Sequence, residues 1–254
     1  MSKKIFLIAA VQAIFLGAIA EAVMVPAMNQ RATLFAKGSK YGKTLFRFEK
    51  DVKERGAERT VMNKYLEPSG KVVLEESLDY AADGGLAKYR RIQHQIDEET
   101  RMERKGDKIE FYKKEKGKES KADEKWSDAH ITTDQMSGYI LANWDKVMGG
   151  KDLDVRLLVP SRMDSVGFSI EKLAREGDVK GVPAYIFEMG ASSMIIRALV
   201  DPIFIYFSKD ADRRLLLIDG RMPVKIVEKD GEYNDIVGEL LFESADPAKP
   251  YRSR

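Results

Sequence analysis

The sequence predicts a mainly β (α+β) fold: a single strongly curved antiparallel sheet, a half-barrel, with one medium and one short helix covering its concave face. Three observations predict it. Period-2 alternation of apolar and polar residues recurs from residue 44 to 243. Gly, Pro, Asp and Ser clusters separate the alternating runs at hairpin spacing. The apolar period changes to i, i+4 only between 134 and 148, and again briefly near 192–199.

The first 22 residues read as a cleavable secretory signal. Lys3 and Lys4 precede an apolar run from Ile5 to Ile19, and Ala20 and Ala22 occupy the −3 and −1 positions of a cleavage site, with Ala18 and Ala20 as an alternative pair. The run is shorter than the roughly 20 apolar residues that span a bilayer, and an uncleaved anchor is the competing reading. No later run approaches that length, so no transmembrane segment is expected after cleavage. The chain has no cysteine, so it is neither a lipoprotein nor stabilised by disulfides. These features place the protein in the periplasm.

Lys and Arg number 43 against 41 Asp and Glu, a formal charge of +2. So even a balance lacks the basic face that nucleic acid requires, and no nucleic-acid partner is expected.

Residues 23–43 read as an N-terminal leader, 44–243 as one β domain and 244–254 as a flexible tail. Alternation begins where Leu45, Arg47, Glu49 and Asp51 interleave with Phe46, Phe48, Lys50 and Val52. Strands follow at 59–67 and 71–80 around Pro68-Ser69-Gly70, at 86–96 after Asp83-Gly84-Gly85, and at 98–104 and 108–115 around Gly106-Asp107. The charged stretch 113–125 reads as an exposed hairpin tip or loop. A contact patch for anionic lipid headgroups is the sharper alternative.

The medium helix starts near Asp134, with Thr133 or Asp134 as N-cap, and stops at Gly149-Gly150. Met136, Ile140, Trp144 and Val147 form its apolar face, with Leu141 and Met148 beside them. Strands resume at 152–160, 163–173 and 182–189, with a turn at 177–181. A short apolar helix from about Ser192 to Leu199 leads through Asp201-Pro202 into a strand at 203–207. Strands at 213–219 and 222–229 lie either side of Gly220, and 236–243 closes the sheet.

This order resembles exported bacterial proteins related to the periplasmic lipoprotein carrier fold (LolA/LolB-like). The resemblance is carried by GYILANWDKVMGGKDLDVRLLVPSR (residues 138–162), SVGFSIEK, Gly181-Val182-Pro183-Ala184, MGASSMIIRALVDPIFIYF and RRLLLIDGR. It is best over the C-terminal half. It implies a half-barrel holding an acyl chain or another hydrophobic ligand. The basic carrier-to-receptor surface of such carriers has no matching motif here.

Catalytic chemistry is sparse. His94 sits in an alternating strand before Asp97, Glu98 and Glu99, too few ligands for a metal site. His130 follows Trp126, Ser127 and Asp128, and local proximity does not make a triad. Ser192 and Ser193 suit an N-cap better than a nucleophile. No cofactor, no metal and no enzymatic activity is expected. The candidate ligand-binding residues are apolar: Met136, Ile140, Trp144 and Met148 on the medium helix, then Met194, Ile195, Leu199, Ile203, Phe204 and Tyr206. An ordinary core accounts for the same residues. Arg197 is the headgroup candidate, with Asp201 or solvent as its alternative partner. The function expected is a non-enzymatic periplasmic binding or carrier module for a lipid or other hydrophobic small molecule. The alternative is an envelope interaction or structural protein with a filled core and an envelope protein partner.

Overall fold

The computed structural model describes residues 28–198, 200–227 and 231–245. The expected signal segment (1–22), Leu199 and residues 246–254 of the tail lie outside that range.

One 15-stranded sheet forms the molecule. The first meander comprises β1 (Gln30–Ala36), β2 (Thr44–Arg55), β3 (Glu58–Leu66), β4 (Val72–Tyr80), β5 (Leu86–Gln93), β6 (Glu98–Lys105), β7 (Lys108–Glu115) and β8 (Lys118–Lys125). A two-residue β9 (His130–Ile131) precedes the helices α1 (Met136–Ala142) and α2 (Trp144–Met148). The second meander is β10 (Leu153–Val159), β11 (Asp164–Val179), β12 (Val182–Ala191), β13 (Ile203–Ser208), β14 (Leu215–Val227) and β15 (Tyr233–Phe242), with α3 (Met194–Arg197) between β12 and β13.

The chain lays down β1 mid-sheet and builds outward to β8. It then restarts at the opposite edge with β9 and builds back until β15 pairs with β1. All pairs are antiparallel except β9 with β10. The sheet does not close into a barrel. Mainly β architecture, one curved sheet and few helices agree with the sequence reading.

Several boundaries differ. The domain begins earlier than residue 44, because β1 falls inside the expected leader and pairs on both sides. Its apolar residues are few, but Ala32 and Leu34 are buried at the centre of the sheet. Of the two readings of 113–125, the exposed hairpin holds and the loop does not: residues 118–125 are a strand, held by eight paired positions on β7 and almost fully exposed. Gly220 does not break a strand. It continues β14 opposite Gly238, where a side chain would stand 3.0 Å from Ile203. Glycine here admits close packing rather than a turn.

The medium helix is two short helices that meet at Asn143. Its apolar face is as the spacing predicts, and Met136, Ile140, Trp144 and Val147 pack on Leu153, Val155, Phe168, Ile170, Phe187 and Phe207. The short helix does not cover the concave face. α3 has four residues, none buried, with Met194 85% and Ile195 78% exposed. Its apolar composition suggested a buried helix, yet only Ile196 turns toward the core.

Candidate functional site

The apolar residues expected to line a cavity fall in three settings: the cluster around Trp144, the opposite face of β13, and the surface. Met136, Ile140 and Trp144 are buried against each other's neighbours. The Trp144 ring lies 5.3 Å from Phe187, 5.7 Å from Phe207 and 5.9 Å from Tyr185, in tilted or edge-on geometry. Aromatic contact of this kind adds to the stabilisation from burial. Met148 and Ile203 border the same cluster. Tyr206 belongs to a different cluster on the other face of β13, with Val179, Ala184 and Leu216. Phe204 shares that face by strand alternation and lies under the Arg175 guanidinium. Met194 and Ile195 project from the surface, and Leu199 is outside the described residues. Arg197 donates through Nε to the Ala191 carbonyl at 2.9 Å and so clamps the turn after β12.

The interior holds a feature the sequence reading missed. Lys50, Asn63, Glu76, Arg91, Thr100, Lys113 and Ser120 are directly opposite one another on successive strands from β2 to β8. The first five are buried. This polar row is flanked by two apolar ones. Val61, Leu78, Tyr89, Met102 and Phe111 lie on one side. Phe48, Tyr65 and Leu74 lie on the other.

The row is largely paired. Lys50 Nζ meets Asp134 at 2.8 Å, with both side chains 4% exposed. Tyr80, beside it, shares a hydrogen bond with Thr132 Oγ1 at 2.9 Å and donates to Asp134 at 3.3 Å. Asp134 thereby ties the entry to α1 to the first meander. Glu76 accepts from Tyr89 Oη at 2.7 Å and from Asn63 Nδ2 at 3.3 Å. Burial, then the facing carboxylates, push the Tyr80 and Tyr89 phenols well above their ordinary range, so both remain proton donors. Arg91 donates through Nη2 to Gln93 and to the Pro223 carbonyl, which brings β14 across the inside of β5.

The row surfaces at a seam. β8 and β9 are the two edges of the sheet, and only residues 126–129 separate them in sequence. The chain turns inward at Thr132 to form the helices, so the outer edge of β8 has no strand beside it. Side chains bridge the gap instead. Glu124 on β8 accepts from Ser165 Oγ at 2.6 Å and from Arg156 Nη2 at 2.9 Å, and lies 3.3 Å from His130 Nε2. Burial raises the Glu124 carboxyl, but the bonds from Ser165, His130 and Arg156 outweigh it and hold its pKa below the usual range. Trp126 stacks on His130 and carries the Arg104 guanidinium 4.5 Å above its own ring.

Ser165, His130 and Glu124 are a clasp in this arrangement. His130 Nδ1 accepts the Ser127 N–H at 2.9 Å. The other nitrogen therefore carries the proton of the neutral ring and cannot take one from Ser165. His94 stands at the surface beside Glu75, 3.1 Å away.

Further along the seam lies a cleft of about 430 Å³ lined by Lys113, Glu115, Lys116, Lys118, Ser120, Ser161 and Met163. Lys113 Nζ sits between Glu98 at 3.1 Å and Glu115 at 2.8 Å. It also reaches the Ser161 carbonyl at 3.4 Å, in the 3-10 turn Pro160–Arg162 that roofs the cleft. Lys50, Asn63 and Glu76 are polar positions between apolar ones on the inward face of their strands, whereas Arg91, Thr100, Lys113 and Ser120 have an apolar neighbour on one side only. That signal is present in the sequence, but the strand register is needed to join the positions.

Among the described residues no helix is long and apolar enough to cross a membrane, which leaves strands unaddressed. No family model and no curated protein matches the chain. A β-barrel-like protein of a domain of unknown function, DUF1849, from Brucella abortus is similar at 11% identity, with 85% of this chain and 98% of that one covered and a TM-score of 0.49. A porin-like protein from Bacteroides uniformis is similar at 8% identity, with 85% and 97% covered and a TM-score of 0.23. At these values the likeness assigns no activity, and the β-barrel-like character rests on the sheet itself.

Proposed function

We propose that the protein is a non-enzymatic periplasmic binding module for a lipid or other amphiphile, whose polar head enters the seam cleft. The observation that carries this is the inner polar row, which runs from a buried ion pair to a cleft of about 430 Å³. That volume suits a head group or a short chain. Trp144 and its neighbours pack on one another, which favours the seam over that cluster as the place for a ligand. A second reading is an envelope interaction protein with a filled core and no ligand. The aromatic packing around Trp144 favours it.

The test is mass spectrometry of the protein purified from periplasm without detergent, native and then solvent-extracted. A stoichiometric co-purifying amphiphile supports the first reading. A ligand-free protein, unchanged by added envelope lipids, supports the second and overturns the first.

A further inference from the structure

Five large apolar side chains are exposed among the described residues: Met194, Ile195, Val227, Tyr233 and Val237. Exposed apolar residues scattered singly need no explanation. These five are gathered at one end of the sheet. Successive strands are antiparallel, so the connections β1 to β2, β7 to β8, β10 to β11, β12 to β13 and β14 to β15 all leave from that end. Met194 and Ile195 lie in the connection from β12 to β13. Beside it, β14 and β15 run on past the end of their pairing with β1, at Ala36 and Gly238, and with β13, at Phe204 and Asp219. Val227, Tyr233 and Val237 stand on that projection. The connections at the opposite end, 56–57, 81–85, 106–107, 126–129, 180–181 and 209–214, expose no large apolar side chain.

Basic turns flank the apolar stretch. Lys40 and Lys43 stand on one side, between β1 and β2. On the other side are Arg162, and Lys114, Lys116 and Lys118 around the turn from β7 to β8. The bond from Lys113 to the Ser161 carbonyl holds that turn beside Arg162. All six are exposed and form no ion pair among the described residues. Some acids of this end are matched: Asp219 by Lys37, Asp235 by Arg221 and Lys225, and Glu115 by Lys113. Asp97, Glu119, Asp164 and Asp201 are exposed without a cation, so the positive excess is modest and the apolar prongs carry the contact. A bilayer interface is anionic at its surface and apolar below, and it receives prongs on separate connections without shape complementarity.

We propose that this end of the sheet docks on a lipid bilayer with anionic headgroups. Met194 and Ile195 insert, and the flanking lysines rest among the phosphates. The seam cleft takes Lys116, Lys118, Ser161 and Met163 from the same end, so docking turns its mouth to the bilayer. The proposal goes beyond the amphiphile reading and does not require it.

The experiment is co-sedimentation of the periplasm-purified protein with vesicles of phosphatidylethanolamine and phosphatidylglycerol. Binding is expected, and phosphatidylcholine vesicles should bind about tenfold more weakly. Met194→Ser with Ile195→Ser should weaken binding by at least about tenfold and leave the melting temperature unchanged, because both side chains are exposed. Lys116→Gln with Lys118→Gln should weaken it about tenfold and reduce its salt dependence. No binding to the mixed vesicles, or binding unmoved by the apolar pair, overturns the docking surface. Equal binding to phosphatidylcholine overturns the anionic surface. A dimer in native mass spectrometry that Met194→Ser with Ile195→Ser dissolves assigns the end to a second copy and overturns the bilayer. An amphiphile that still co-purifies with a protein unable to bind vesicles leaves the reading above standing.

Discussion

The two halves of the sheet solve the same problem differently. β10 to β13 cover a space filled by α1 and α2, where Trp144, Phe187 and Phe207 meet edge to face. β2 to β8 carry a polar row with a buried ion pair at one end. The first half gains stability from burial and packing. The second holds charges that must be matched, because a buried ion pair contributes little net stability yet is costly to break. The difference separates residues that maintain the fold from residues available to meet a ligand.

The largest effect should come from the apolar half. Trp144→Ala removes a buried ring from an aromatic cluster and should destabilise the protein by about 3–5 kcal/mol, measured by chemical denaturation. A loss below about 1 kcal/mol would mean that the helices are not integral to the core.

Breaking the polar half from one side should cost nearly as much. Lys50→Met leaves Asp134 buried without its cation, and about 3–5 kcal/mol is expected. Lys50→Met combined with Asp134→Leu should recover most of it, and a double-mutant cycle reads the coupling. Additive losses would show that the pair is solvated in solution.

The seam should respond more mildly. Glu124→Gln weakens three contacts across the gap and should cost about 1–3 kcal/mol, with faster hydrogen exchange confined to β8. The pKa of Glu124 is depressed in the folded state, so its contribution is present above the ordinary glutamate pKa. It is lost as pH falls through the folded value. The wild type should therefore loosen at β8 in acid, and Glu124→Gln should lack that pH dependence. The smallest effect is at α3. Met194→Ser or Ile195→Ser should change stability by no more than about 0.5 kcal/mol, since both side chains are exposed.

Much of this architecture is legible in the alternation and in the helical spacing. Met136, Ile140, Trp144 and Val147 fall on one face, and the structure buries them together. What escaped sequence reading depends on partners distant in the chain. Lys50 reads as one polar residue between Phe48 and Val52. Only pairing with Asn63 and onward to Lys113 turns it into the end of a row. β1 reads as a leader in the sequence because a short strand with a mixed pattern is recognised by its neighbours, and one of those, β15, is far from it in sequence. α3 misled in the opposite way. Its residues have the composition of a buried helix, but nothing packs over Met194 and Ile195.

The pairing of β1 with β15 also orders events in time. The first strand made waits for the last, since Ala32 to Ala36 align with Phe242 to Gly238. Until β15 arrives, the chain consists of two meanders, each with local connections able to form quickly, joined at the helices. Loss of the final strand would thus part the sheet along its midline, exposing two new edges to aggregation.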